Sequence, residues 1–198
     1  MMSRSWMTVA VAALAGLPAC TAMGKTGPVD SEAAMARMME LAQPVSHHQH
    51  LARMVGDWNC EMTYWMEAGS PPQNMTGTSR YAMVLGDHIL EQTFHGDFMG
   101  QPFEGRGLMG YDTATEEYWS TWMDSFSSFM MPLARGTCAD DGKEILLQGT
   151  WYNPVYERKE HDRQILKWVD ENHFTYDAWA RFEGQKEYQT MHIEFRRR

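Results

Sequence analysis

FEGRGLMGYDTATEEYWSTWMD, residues 103–124, reads as a β-hairpin. Phe103, Gly105, Gly107, Met109 and Tyr111 alternate with Glu104, Arg106, Leu108, Gly110 and Asp112. That is a period of two, with one side free of charge until the turn. Asp112-Thr113-Ala114-Thr115 is turn chemistry, because Asp and Thr side chains bond their local backbone. Tyr118, Trp119 and Trp122 then favour a returning strand. If Tyr111 pairs with Tyr118, Gly107 falls opposite Trp122. A glycine facing a large ring suits a strongly bent strand, and glycine kinks curl sheets into barrels. A barrel is therefore expected here in preference to a two-sheet sandwich.

The same alternation continues on both sides. Trp58, Cys60, Met62, Tyr64 and Met66 alternate with Asn59, Glu61, Thr63, Trp65 and Glu67. Ser70-Pro71-Pro72-Gln73 turns into a strand over residues 75–85, and Gly86-Asp87 is a two-residue hairpin signal. Residues 88–98 carry Leu90, Phe94 and Phe98 on one side, with Glu91 and His95 on the other. A strand over 127–138 is weak, because Pro132 cannot donate to a ladder, so a bulge or sheet edge is expected there. Strands follow over 144–152 and 158–169. Phe174, Tyr176, Ala178, Ala180 and Phe182 share one face of the next strand, and Met191, Ile193 and Phe195 share one face of the last. The expectation is all-β: an antiparallel up-and-down barrel of about ten strands, whose closure removes exposed edges.

Residues 30–54 read as one or two short helices ahead of the barrel. Asp30 or Ser31 can cap the first. Its apolar face is Met35, Met38, Met39 and Ala42, and Pro44 stops it. A second helix is expected over His47–Met54, with Ser46 and Gln49 at capping-box spacing. It is expected to plug or lean on one barrel end.

At 198 residues, with 43% hydrophobic and 22% charged content, the chain suits one folded domain. A net charge of −9 speaks against nucleic acid and against adsorption on anionic lipid. Eighteen methionines suit an adaptable cavity wall. At the front, Arg4 and the apolar run Trp6–Leu17 have the form of a secretory signal, too short to span a bilayer. Leu17-Pro18-Ala19-Cys20 resembles a bacterial lipobox. The resemblance implies a signal peptide over residues 1–19, an acylated Cys20 and a tether over 20–29. Because Thr21 and not Asp follows the Cys, it also implies outer-membrane sorting: a lipid-anchored protein of the bacterial envelope, facing the periplasm. The organisation is completed by a helical segment, 30–54, and a barrel domain, 55–198. Cys60 and Cys138 fall on strands far apart in order, and Cα atoms beyond ~7 Å cannot be bridged, so both are expected to be free. Without a CxxC they make no zinc pattern.

Val55-Gly56-Asp57-Trp58 resembles the G-x-W signature that opens calycin-type barrels. More closely, the chain from about His50 onward resembles the bacterial family of unknown function called DUF1579. The resemblance rests on that segment, on Gly77-Thr78-Ser79, on Leu85-Gly86-Asp87 with Leu90-Glu91, and above all on Pro102–Asp112. Trp122-Met123-Asp124 and Asp170–Phe174 extend it. It implies a calycin-like barrel and carries no biochemical role.

No G-x-S-x-G, H-E-x-x-H or P-loop is present, no catalytic residue is assigned, and no cofactor is expected. His47, His48 and His50 cluster without an acidic or Cys neighbour in sequence, which reads as packing or solvated side chains and not as a metal site. Haem-binding barrels of the nitrobindin type are similar in strand count and use a C-terminal His. Here His192 lies on the side opposite Met191, Ile193 and Phe195, so it is expected to point outward. The candidate ligand-binding residues are Trp58, Met62, Tyr64, Tyr81, Met83, Trp122 and Tyr176, with Glu91, Asp124 and Arg163 as a polar floor if they point inward.

Three functions compete. A barrel that binds a small apolar or amphipathic molecule needs an open lumen. An enzyme needs an inward carboxylate beside a His or Arg. An envelope interaction protein needs a filled interior and an exposed aromatic patch.

Overall fold

The computed structural model describes residues 29–139 and 141–198. The expected signal peptide, Cys20 and the tether as far as residue 28 lie outside the described residues. Two helices, α1 (Ser31–Leu41) and α2 (Ser46–Ala52), precede ten strands. These are β1 (Gly56–Tyr64), β2 (Gln73–Val84), β3 (Ile89–Phe98), β4 (Gln101–Asp112) and β5 (Glu117–Asp124). They continue with β6 (Met131–Cys138), β7 (Glu144–Asn153), β8 (Arg158–Asp170), β9 (His173–Phe182) and β10 (Tyr188–Arg197). Every strand pairs antiparallel with its neighbours in sequence, and β10 returns to β1, so the sheet is a closed up-and-down barrel.

The hairpin over 103–124 has the expected register, with Tyr111 opposite Tyr118 and Gly107 opposite Trp122. The indole, however, leans diagonally over Gly105. A Cβ there would lie 2.1 Å from Trp122 Cζ2, against 3.3 Å for the nearest indole atom at Gly107. Pro132 has the expected consequence: the β5–β6 register shifts between Ser120 and Trp122. Two local readings change. The turn from β2 to β3 is Leu85–His88, four residues and not two, with Leu85, Gly86 and Asp87 all at positive φ. The second helix starts at Ser46, so Ser46 is not its cap; His48 Nδ1 accepts the Val45 N–H at 3.0 Å instead.

α2 closes one end of the barrel. Leu51 and Met54 are fully buried, and Trp58 Nε1 donates to the Met54 carbonyl at 2.8 Å. Beneath them Trp58, Trp168, Phe174 and Phe195 pack ring against ring, with Phe174 and Phe195 stacked at 4.4 Å. Burying rings of this size is the main apolar gain of such a core. The closed half is therefore filled. α1 adds nothing to the core: none of its side chains is buried, and it is tied on by Ala42 and Leu41 carbonyls that accept from His88 and Thr113. The opposite end is ringed by the loops after β1, β3, β5, β7 and β9, and among them Met66, Met99, Phe126, Phe129, Met130 and Val155 are exposed. No helix among the described residues is long and apolar enough to cross a membrane.

Candidate functional site

The half of the lumen toward the loops is built differently from the closed half. Alternation turns Met62, Trp122, Asp124, Asp162, Tyr176 and Met191 inward, yet each is only half-buried. Tyr176 decides what this means. It points into the closed barrel, and burial pushes its phenol far up, with the carboxylates of Asp162 and Asp177 adding to the shift. An inward side chain of a closed barrel that remains accessible faces space within the lumen. Tyr81, beside it, is 6% exposed, and burial likewise raises its pKa, with Cys60 and Tyr176 contributing. Neither hydroxyl has a hydrogen-bond partner among the described residues, and neither is sealed from water as the Trp151 indole N–H is.

A polar band crosses this space. Ser120 on β5 donates across the lumen to Gln164 Oε1 on β8 at 3.2 Å, and the Gln164 amide donates to Asp162. Between them β6 carries the small residues Ala134 and Gly136, opposite Ser120 and Tyr118. Burial lifts the Asp162 carboxyl to about 6, against the opposing effect of the Gln164 bond, and Glu160 adds a lesser rise. Glu160 is itself pushed up by burial and is held by Asn153 Nδ2 at 2.6 Å. Asp124 accepts from Trp122 Nε1 and from the Phe126 N–H, each at 3.0 Å. On the β2–β3 side Gln92 donates to Ser79 at 2.9 Å.

Of the candidate residues, the structure brings Met62, Trp122, Asp124 and Tyr176 to the open space, with Tyr81 at its floor. Tyr64 is buried toward the mouth, where its hydroxyl donates to Gln73 at 3.0 Å. Met83 packs against the core, and Trp58 belongs to the filled end under α2. Glu91 and Arg163 leave the set. They have the parity opposite to Leu90 and Gln164 and so lie on the outer wall, Glu91 with Arg106 at 2.9 Å and Arg163 with Glu187 at 2.6 Å. Arg163 also covers the Trp179 ring at 3.8 Å. A depression of about 330 Å³ on this outer wall is lined by Gln148, Gly149, Thr150, His161, Asp162, Arg163, Arg181 and Glu187. His192 points outward as alternation requires, bonded to Asp177 at 2.7 Å.

The histidine cluster packs at the closed end. His47 and His50 both bond the Tyr118 hydroxyl, at 2.9 and 3.1 Å, and His47 stacks on Tyr111 at 4.2 Å. Burial, then the charges of His47 and Arg53, lower the His50 pKa. Cys138 lies 3.9 Å from His50, and both Cys60 and Cys138 are free. Burial holds the Cys60 thiol up at about 11. No group of three His, Cys, Asp or Glu suited to a metal occurs among the described residues.

Sequence reasoning missed Asp162, Gln164, Glu160 and Ser120. A signal existed: counting back by twos from Leu166 and Trp168 puts Gln164, Asp162 and Glu160 on the core side of β8.

Two solved structures show the same fold. Rv2717c from M. tuberculosis is 15% identical, with a TM-score of 0.56, over 79% of this chain and 99% of that one. An S-type phycobiliprotein lyase, CPES from Guillardia theta, is 11% identical, with a TM-score of 0.55, over 81% of this chain and 96% of that one. At these identities the likeness concerns the fold. A comparison with curated proteins found no match. The model of the family described as "Protein of unknown function (DUF1579)" matches residues 43–197, the second helix and the whole barrel. The chain belongs to the DUF1579 family.

Proposed function

We propose that this barrel binds a small amphipathic molecule in the loop-side half of its lumen. The observation that carries the reading is the pair Tyr81 and Tyr176: two inward tyrosines of the closed barrel whose hydroxyls have no hydrogen-bond partner among the described residues. A polar group so placed costs free energy unless a ligand or water satisfies it. The methionine and aromatic walls suit an apolar body, and the apolar residues on the mouth loops suit its entry. The enzymatic alternative lacks its pair: among the described residues no ion pair joins Asp124, Glu160 or Asp162 to a His or Arg. The test is native mass spectrometry of protein taken from its own membrane, followed by titration read by Trp fluorescence. Trp122→Ala is expected to weaken binding about tenfold or more, since a large apolar contact is lost. An absence of saturable binding would count against the lumen and for a packed interaction protein.

The same reading has the barrel held at a membrane through an acyl chain on Cys20, motivated by Leu17-Pro18-Ala19-Cys20 behind the apolar run. Intact-mass analysis of membrane fractions should find an acylated chain beginning at Cys20, and Cys20→Ser should release the protein into the soluble fraction. A soluble product beginning elsewhere would remove the anchor from the proposal.

A further inference from the structure

The polar groups of the lumen are one-sided. Asp124, Glu160 and Asp162 all point inward. The inward positions of the ten strands hold cationic side chains only at the two ends, Arg197 over Trp58 and Arg158 at the Phe182 rim. Two of the three carboxylates are supplied with donors. Asp124 has the Trp122 indole and the Phe126 amide, and Glu160 has the Asn153 amide. Among the described residues Asp162 has the Gln164 amide alone. A carboxylate set this deep without a cation is unfavourable, and it is retained where something else supplies the charge. Its cross-strand neighbours Gly149 and Ala180 are small, and Tyr176 faces the same lumen. Tyr176 is close enough for the Asp162 charge to act on its phenol, and Tyr81 adjoins Tyr176. Trp122 stands two residues from Ser120, which bonds across the lumen to the partner of Asp162. Aromatic faces attract cations, and they do so more strongly where water is excluded.

We propose that the ligand of this lumen is an organic cation, an ammonium group bearing an apolar body, with the ammonium between Asp162 and the rings of Tyr176 and Tyr81. The inference rests on the lumen reading above and adds the charge of the ligand to it. An apolar carboxylate would bring a fourth negative charge into the space. A neutral amphiphile would leave Asp162 without a counter-charge. The apolar body lies along Met62, Met191 and Trp122, which face the same space.

Three probes of equal chain length separate the cases: decyltrimethylammonium, decanol and decanoate, each below its micellar concentration. They are titrated into the purified protein and followed by native mass spectrometry and Trp fluorescence. The cation is expected to bind about tenfold or more tighter than either of the others. Asp162→Asn should bring the cation to within about twofold of decanol, because the neutral amide removes the charge and keeps the shape. If decanol or decanoate binds as tightly as the cation, the charge assignment is overturned while the lumen reading stands. If the cation binds best but Asp162→Asn does not weaken it, Asp162 is not its seat and the proposal is likewise overturned. If none of the three binds saturably, both readings fall. The ranking in the unaltered protein decides between these outcomes even if the variant folds poorly.

Discussion

Gly136→Ala is expected to destabilise the barrel by about 3 kcal/mol or more, an overpacking penalty at the upper end of the usual range. Gly136 lies on β6, opposite Tyr118 on one side and Leu147 on the other. A Cβ at this position would lie 1.9 Å from the Leu146 carbonyl oxygen and 2.9 Å from its carbon. Those are backbone atoms of the neighbouring strand, so relief requires β6 and β7 to part, with loss of ladder hydrogen bonds. Gly149 on β7 is the internal control. Its nearest contacts for an added Cβ are Ala134 Cα and Cβ at 3.6 and 3.7 Å, an ordinary van der Waals distance. Gly149→Ala should fall within about 1 kcal/mol of the parent, with a gain if the lower entropy of the unfolded chain dominates. Thermal or urea unfolding of the two variants measures the contrast. For a chain of this size the first should lower Tm by roughly 6–12 °C. Equal stability of the two would show that β6 does not need the close approach to β7.

Where the sequence is informative, alternation carries the information. Tyr111, Tyr118, Gly107 and Trp122 can be paired from the order of residues alone, because a hairpin with a short polar turn has few registers and only one keeps both apolar sides facing inward. Closure is legible for a related reason, since bent, glycine-bearing strands in an up-and-down meander can hide all of their edges by closing into a barrel. The candidate site is less legible. Alternation states which side a residue takes, not at which level of the barrel it sits. Trp58 and Trp122 both point inward, but Trp58 lies under α2 in the filled end and Trp122 beside the open space. That difference depends on the stagger of β1 against β5 around the barrel, which no single strand records. Glu91 and Arg163 suggest a polar floor by their charge within strand-like runs, while parity from Leu90 and Leu166 places both outside. The histidines of α2 have no legible partner, because Tyr118 is brought to them only by closure of the sheet.

Asp162→Asn should make the protein more stable at pH 7.5, the reverse of what losing a hydrogen-bonded core residue usually does. The Asp162 carboxyl is raised from 3.8 to about 6, chiefly by burial. As pH rises, the unfolded chain gives up this proton before the folded one does, so stability falls between about pH 4 and pH 6 and is level above. Two pKa units correspond to about 3 kcal/mol, and solvent reaching the lumen reduces this, so a gain of about 2 kcal/mol is expected from the amide. That corresponds to roughly 4–8 °C in Tm for a chain of this size. The advantage of the variant should be complete above about pH 6 and vanish below about pH 4, where the parent carboxyl is neutral in both states. His192, raised by its bonds to Asp177 and Glu194 against the opposing and largest effect of burial, stabilises the fold at low pH and loses that contribution as pH rises through its folded value. It acts equally in parent and variant, so the difference between the two curves isolates Asp162. A bound ammonium should narrow the same gap at pH 7.5 by supplying the missing counter-charge to the parent alone, a linkage effect set by ligand concentration. Unfolding curves for both proteins from pH 3.5 to 8 suffice for the measurement. A variant less stable than the parent at pH 7.5, or a gap that does not close on acidification, would mean that the protein itself already compensates the Asp162 charge and that the carboxylate is not waiting for a ligand.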